Sequence, residues 1–232
     1  MENQLELIAK AYDKAIDLGR KGISLDLPKY ITDDPDYFFF QKSMEELDPD
    51  SSSGHKDIKD YLSPDKDMKF IDLGCCLNLM FRGYDKWPSI YHAVDISNET
   101  IQLLNEFVEK NKLSIGSLYC GSIHETPFGT DFFDIGACIG VLEYFDKNFV
   151  SKTLIEIHRI MKKNGKFILD IPDNESKLNR LMMLIEEYFG RPHKFDILPQ
   201  EFEKLLNKYF EIERADTTEG GPMILYYLKC KK

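Results

Sequence analysis

The sequence predicts an α/β fold in which helices flank a mostly parallel sheet. From residue 69 onward, short apolar stretches alternate with segments whose apolar residues recur every three to four positions. Strands that alternate with helices imply crossover connections and parallel pairing. The last two apolar stretches are separated only by a short turn that contains Gly220, Gly221 and Pro222, so these two strands are expected to pair antiparallel.

Composition and charge restrict the class of protein. A chain of 232 residues with 43% hydrophobic and 30% charged residues is typical of one soluble globular domain with additions. The net charge of −10 disfavours nucleic acid as a partner. No apolar run is long enough to span a membrane, and the amino-terminal residues lack the features of a secretion signal. We therefore expect a cytoplasmic protein with no membrane partner.

The amino-terminal part is predicted to be helical. Residues 2–20 carry apolar side chains at helical spacing, and residues 37–46 predict a second helix that begins at an aromatic run. Residues 48–54 are rich in Asp, Pro and Ser and predict a loop.

The remaining elements follow in order from residue 69. The first predicted helix of this part begins at Asn98, with Ser97 or Asn98 as its N-cap residue. A later helix is expected to end in the basic run before Gly165. The predicted helices are 98–111, 149–161, 178–189 and 199–209. The predicted strands are 70–73, 91–95, 117–120, 133–139, 166–171, 210–217 and 223–229.

The most informative pattern joins the first two strands. The first ends in Asp72-Leu73-Gly74, and the second ends in Asp95, 21 residues after Gly74. A glycine turn lets the backbone approach a ligand, and a carboxylate at the end of the next strand accepts hydrogen bonds from ribose hydroxyls. This layout is shared by proteins that bind dinucleotides and by proteins that bind S-adenosylmethionine.

The residues of the turn favour the second ligand. The run from Asp72 to Cys75 resembles the D-L-G-C-G-x-G motif of class I S-adenosylmethionine-dependent methyltransferases. Cys76 stands in place of the second glycine and Asn78 in place of the third. Because Asn tolerates positive φ better than most residues, we expect Asn78 to make the turn and Cys76 to crowd the ligand.

Two later segments also resemble this family. Residues 121–128 are similar to its G-D-A-x-x-L-P-F loop, with Ser122 at the position of the aspartate that contacts adenine. Residues 133–145 are similar to its fourth strand and the following turn, with Tyr144 where His is common. The five cysteines show no zinc-like spacing, so no metal site is expected.

The resemblance implies the architecture and the site. The expected fold is a Rossmann-like, doubly wound, seven-stranded sheet whose last strand is antiparallel, formed by residues 69–232, with residues 1–68 as a helical cap. The implied cofactor-binding residues are Asp72, Gly74, Cys76, Asp95, Ile96, Ser122, Ile123, Cys138 and Ile139.

The resemblance implies an S-adenosylmethionine-dependent methyltransferase that acts on a small molecule. Candidates for a general base, by position, are Glu143, Tyr144, Asp173 and His193. One alternative is a methyltransferase-like scaffold domain that binds the cofactor poorly or not at all. A nicotinamide-dependent oxidoreductase is a further alternative, which the missing G-x-G-x-x-G motif disfavours.

Overall fold

The structure is a computed structural model that describes residues 2–23, 26–46, 53–217 and 221–232. The strands are β1 (Lys69–Leu73), β2 (Ile90–Asp95), β3 (Leu118–Cys120), β4 (Phe133–Cys138), β5 (Met161–Pro172), β6 (Phe210–Thr217) and β7 (Met223–Cys230). The α-helices in the described residues are α1 (Glu2–Arg20), α2 (Lys29–Thr32), α3 (Tyr37–Glu46), α4 (Ser53–Leu62), α5 (Asn78–Phe81), α6 (Asn98–Asn111), α7 (Lys147–Ile160), α8 (Lys177–Tyr188) and α9 (Pro199–Leu206).

The strands form one sheet in the order β3-β2-β1-β4-β5-β7-β6. The first five strands pair in parallel, and β7 is antiparallel to both β5 and β6. The predicted seven-stranded Rossmann-like sheet with an antiparallel last strand is therefore confirmed. Strand order reverses between β1 and β4, which makes the carboxyl ends of these strands the expected place for a ligand.

The sheet is buried on both faces. Successive residues of β1 alternate between two apolar clusters, with Ile71 and Leu73 on one face and Phe70 on the other. Such strands are nearly continuous in apolar residues because helices cover both sides. Burial of these side chains contributes roughly 1.5–3 kcal/mol each to stability.

Most predicted boundaries in residues 69–232 agree with the structure to within two or three residues. The helix predicted for residues 98–111 is α6, and the Ser97 hydroxyl accepts a hydrogen bond from the Thr100 N–H at 3.0 Å. This contact satisfies one of the free N–H groups at the beginning of the helix.

The helix predicted for residues 149–161 is α7, but the prediction that it ends in the basic run before Gly165 is wrong. Helix α7 ends at Ile160, and β5 begins at once with Met161, which pairs with Phe133. The basic run lies within an irregular part of this strand, where Asn164 has a φ of 62° and the register shifts before pairing resumes between Ile135 and Lys166. The left-handed residue is therefore part of a bulge in a strand and does not terminate a helix.

The amino-terminal region contains more helix than predicted. The helices at residues 2–20 and 37–46 are α1 and α3, whereas α2 and α4 were not predicted. The predicted loop is wrong at Ser53 and Gly54, which begin α4, and its residues 48–52 lie outside the described residues. Helix α4 packs on the core through Ile58 and Leu62. Two apolar residues are too short a periodic pattern to predict a helix in a segment whose composition is typical of a loop.

None of the helices in the described ranges has the length and apolar character needed to cross a bilayer. Within the same ranges there is no group of three or more His, Cys, Asp or Glu side chains that could hold a metal ion.

Candidate functional site

A pocket lies at the carboxyl ends of β1, β2 and β4. It contains about 550 Å³ of empty space, part of which is open to solvent. The predicted site residues that line it are Gly74, Cys76, Asp95, Ile96, Ser122, Ile123 and Ile139.

The turn after β1 differs from its prediction. Gly74 has a φ of 71° and Cys76 a φ of 40°, whereas Asn78 begins α5. Cys76, rather than Asn78, therefore adopts the left-handed backbone that the family motif assigns to glycine. A Cβ on Gly74 would collide with the side chain of Val141, so packing within the protein also requires glycine there.

Asp95 links the two strand ends. Its Oδ2 accepts a hydrogen bond from the Cys76 N–H at 2.8 Å, and its Oδ1 accepts one from the Ser97 N–H at 2.9 Å. Burial raises the pKa of this carboxyl group, and the two backbone bonds act in the opposite direction. Because each carboxylate oxygen has two lone pairs, both oxygens retain capacity to accept a further hydrogen bond.

Two predicted site residues do not line the pocket. Asp72 is fully buried on the sheet face that carries Phe70, where it accepts a hydrogen bond from the Tyr91 hydroxyl at 3.0 Å. Burial raises the pKa of Asp72 to about 7, against the effect of that bond. Cys138 is fully buried in the apolar cluster on the other face. Direct cofactor contact by these two side chains is therefore not supported by their position.

The other end of the pocket is formed by the loop after β3. Ser122 and Ile123 line it, and the Ser122 hydroxyl lies 2.5 Å from His124 Nδ1. His124 in turn contacts the ring of Phe149, with centroids 4.8 Å apart. The imidazole thus fixes the hydroxyl that was expected to accept a bond from adenine.

Helix α1 forms a wall of the pocket through Leu5, Ile8 and Tyr12. Polar contacts hold it in place: Gln4 Nε2 donates to the Tyr144 carbonyl at 3.0 Å, and the Tyr12 and Tyr144 hydroxyls lie 3.2 Å apart. Sequence reasoning identified the helix but did not assign these residues to the site. The apolar stripe was the available signal, because such a stripe must pack against something.

A cluster of acidic side chains lies behind the turn after β4. Glu143 is 4% exposed, and its Oε2 has no hydrogen-bond partner among the described residues. Asp170 is also buried, and its Oδ1 accepts a hydrogen bond from the Gly140 N–H at 2.8 Å. Burial raises the pKa of both carboxyl groups, that of Asp170 to about 6, and the negative charge of Asp170 raises the pKa of Glu143 further.

The other candidates for a general base differ in their contacts. The Tyr144 hydroxyl donates to Glu186 Oε2 at 2.9 Å, and Asp173 Oδ1 accepts a bond from the Glu175 N–H at 3.1 Å. Both ring nitrogens of His193 are buried without a partner among the described residues, and burial lowers the pKa of this imidazole. Glu143 and His193 therefore have free hydrogen-bonding capacity near the pocket.

The fold and the position of the pocket define an α/β domain of the class I methyltransferase type. Residues 71–169 match the family model described as a methyltransferase domain. This match supports the resemblance to class I S-adenosylmethionine-dependent methyltransferases.

A curated relative, an uncharacterised protein of Methanocaldococcus jannaschii, is 31% identical over 127 residues. The match covers 55% of this chain and 51% of the relative, so the chain spans about half the length of that protein.

Solved structures share the fold at low sequence identity. The geranyl diphosphate C-methyltransferase of Streptomyces coelicolor A3(2), solved with S-adenosyl-L-homocysteine, is 14% identical with a TM-score of 0.68, and the match covers 98% of each chain. A Pyrococcus horikoshii OT3 protein is 20% identical with a TM-score of 0.60, over 89% of this chain and 100% of that one. SpnF, a [4+2]-cyclase, is 10% identical with a TM-score of 0.59, and the match covers 78% of this chain and 81% of that one. Fold alone therefore does not specify the reaction.

Proposed function

We propose that this protein is a methyltransferase that uses S-adenosylmethionine to methylate a small-molecule acceptor. The observation that carries the proposal is the bond between the Cys76 N–H and Asp95 Oδ2, which brings the turn after β1 and the acid that ends β2 to one pocket. A nucleoside whose sugar contacts Asp95 would extend its amino-acid tail along the turn.

The pocket residues suit an adenosine derivative. Asp95 would accept hydrogen bonds from the ribose hydroxyls, Ile96 and Ile123 would pack against adenine, and the turn at Gly74 and Cys76 would contact the methionine portion. The bound donor would supply an activated methyl group. The protein would then contribute position, orientation and exclusion of water, for which α1 provides the cover.

The enclosure of the pocket supports a small acceptor. Tyr12, Tyr144, Phe145 and Phe149 line it, and α1 closes one side, so a polymer would have to displace this helix. The net charge of −10 would also repel a polyanion. A neutral, cationic or apolar small molecule is consistent with both features.

Calorimetric titration with S-adenosylhomocysteine tests the cofactor assignment. We expect Asp95→Ala to weaken binding by about tenfold to a hundredfold, since a hydrogen bond to a charged group contributes roughly 1.5–3 kcal/mol. Asp134→Ala is the matched control, because this aspartate also holds a backbone N–H, that of Lys69 at 2.9 Å, at the opposite end of the sheet. Equal affinity of Asp95→Ala and the parent protein would contradict the enzyme assignment.

The alternative function is a methyltransferase-like scaffold domain, and two observations favour it. Both oxygens of Asp95 already have backbone donors, and Cys76 places a side chain where the family motif has none. If high concentrations of S-adenosylmethionine and S-adenosylhomocysteine give no heat, this alternative replaces the enzyme. The antiparallel β6–β7 pair disfavours a nicotinamide-dependent enzyme, and quenching of reduced nicotinamide fluorescence would revive that hypothesis.

A further inference from the structure

The acidic cluster behind the turn after β4 is not used by the cofactor contacts proposed above. Its central member, Glu143, is more than nine-tenths buried, and its Oε2 lacks a hydrogen-bond partner among the described residues. A buried carboxylate oxygen without a partner costs about 1–3 kcal/mol or more. Such a group needs an explanation, and beside a pocket one explanation is a ligand that supplies the missing partner.

The carboxyl group lies beside the pocket wall. A Cβ on Gly140, which lines the pocket, would be 3.8 Å from Glu143 Oε1. Val141 and Tyr144 on either side of Glu143 in the chain also line the pocket. Glu143 itself is not one of the described residues that line the pocket. A ligand atom in contact with Gly140 would lie near Glu143 Oε1, and the unpartnered Oε2 is the second oxygen of the same carboxyl group.

The surroundings of Glu143 are acidic. Asp170 of β5 and Glu186 of α8 face it, and both raise its pKa. The cation near Glu186 is Arg191, whose Nε lies 2.5 Å from Glu186 Oε2, so that charge is already paired. Arg82, the residue after α5, lowers the pKa of Asp170 through its positive charge.

The neighbouring pocket wall is aromatic, and the Arg191 guanidinium lies over its Tyr12 ring, 4.7 Å from the ring centroid. Among the described residues that line the pocket there is no Lys and no Arg. Tyr12 and Tyr144 meet edge to face, with ring centroids 6.4 Å apart. His193 packs against Tyr144, with ring centroids 5.7 Å apart, and burial favours its neutral form. Aromatic faces next to an acid are typical of sites for ammonium groups.

From these contacts we propose that the methyl acceptor is an amine and that Glu143 binds its nitrogen. This inference rests on the methyltransferase function proposed above and specifies its substrate class. An amine would give Glu143 Oε2 its missing donor, whereas a carboxylate or phosphate would meet Glu143, Asp170 and Glu186 with no basic group on the pocket wall.

The chemistry of the transfer is consistent with this role. The nitrogen lone pair forms the bond to the methyl carbon, and the methyl–sulfur bond breaks with its electron pair left on sulfur. When the acceptor binds as an ammonium, it first passes one proton to the Glu143 carboxylate, because a protonated nitrogen has no lone pair for the attack. The product leaves as the methylated ammonium. Proton uptake by a carboxyl group with a raised pKa is favourable near neutral pH.

Titrations with skeleton-matched probes test the inference. Propylamine, propanol and propionate, and likewise benzylamine, benzyl alcohol and benzoate, are titrated by calorimetry with and without S-adenosylhomocysteine. We expect at least one amine to bind tenfold or more tightly than its alcohol and its carboxylate. Burial and Asp170 raise the pKa of Glu143, and a bound ammonium would lower it. We therefore also expect proton release on binding, visible as a dependence of the heat on buffer ionisation enthalpy.

Variants show whether Glu143 causes the preference. Glu143→Gln is expected to reduce it to threefold or less and to abolish proton release, while its affinity for S-adenosylhomocysteine stays within threefold of the parent. Glu156→Gln is the control, since Glu156 is also buried but is paired with Arg159 at 2.6 Å, outside the pocket. It should retain the amine preference.

Two results would overturn the inference. One is that neither amine binds better than its alcohol and carboxylate in the parent protein, a result that does not depend on the variant's folding. The other is that folded Glu143→Gln keeps the preference. Failure of the methyltransferase proposal is distinguishable, because it would be seen as no S-adenosylhomocysteine binding, whereas the amine preference is measured without that ligand as well.

Discussion

Cys76 replaces a glycine of the family motif, and its backbone adopts a conformation that favours glycine. It has a φ of 40°, in the left-handed region that costs a residue with a Cβ roughly 1–2 kcal/mol. The bond from its N–H to Asp95 Oδ2 holds this conformation in place. The side chain lines the pocket, and burial raises the pKa of its thiol to about 11, so the group is an uncharged part of the wall.

Two substitutions separate the backbone effect of Cys76 from the loss of its side chain. Cys76→Ala removes the thiol but keeps the Cβ, whereas Cys76→Gly also removes the left-handed penalty. We expect the Gly variant to be more stable than the Ala variant by about 1 kcal/mol. Urea unfolding of both proteins measures the difference, and a Gly variant less stable than Ala would contradict the proposed strain.

The structure also shows why some site residues could be predicted and others could not. Asp95 ends β2 and Ile96 follows it, and the carboxyl ends of parallel strands meet at one edge, so their approach to Gly74 was predictable. The side chain of Asp72 follows the alternation of β1 to the face of Tyr91 and does not line the pocket. The family motif identifies its position in the chain but not this orientation.

At the level of elements, α1 connects the amino-terminal region to the site. Asp13 Oδ1 accepts hydrogen bonds from the Ser97 hydroxyl at 2.6 Å and from the Glu99 N–H at 3.2 Å, both at the beginning of α6. Arg20 forms an ion pair with Glu106 at 2.9 Å farther along the same two helices. The helix that covers the pocket is therefore attached to the helix that follows Asp95.

The Asp13 contacts can be tested against a matched residue of the same helix. Asp13→Ala removes both bonds to α6, whereas Asp17→Ala removes only an exposed ion pair with Lys21. We expect Asp13→Ala to cost about 1–2 kcal/mol in the docking of α1 and to speed its amide hydrogen exchange about tenfold. Asp17→Ala should change exchange little. Equal rates in the two variants would show that these bonds do not hold α1.

Helices and strands could be predicted where the residues that determine them lie within the element's own sequence. Helix α6 has a Ser97 cap and an apolar face with Ile101 and Leu104, and both signals lie within the sequence of the element. The role of α1 as a pocket wall could not be predicted, because periodicity shows that a face is buried and not what buries it. The join of α7 to β5 was missed because pairing of Met161 with Phe133 depends on a distant strand.

At the scale of the whole molecule, buried acids make stability depend on pH. Burial raises the pKa of Asp72 to about 7 from its ordinary 3.8, so the folded state binds this proton more tightly than the unfolded state. The contribution of this group to stability is complete below pH 3.8 and is lost as pH rises through about 7. His92 acts in the opposite sense, since burial lowers its pKa to about 4.

The substitution Asp72→Asn isolates one of these groups and leaves His92 unchanged. The amide oxygen of the variant would still accept a hydrogen bond from the Tyr91 hydroxyl, but the amide does not titrate. Between pH 4.5 and pH 7.5, we expect the stability of the parent to fall relative to the variant by about 3 kcal/mol. Urea unfolding at several pH values measures this difference, and a difference independent of pH would contradict the raised pKa.

The position of β7 between β5 and β6 has a consequence for synthesis on the ribosome. When β5 has emerged, its edge has no partner until β7 follows, after residues 173–222 have been translated, which takes roughly 3–10 s at usual elongation rates. During that interval the apolar edge that carries Phe167, Leu169 and Ile171 is open to pairing with other nascent chains. Chaperone dependence during translation should therefore peak before the closing hairpin appears.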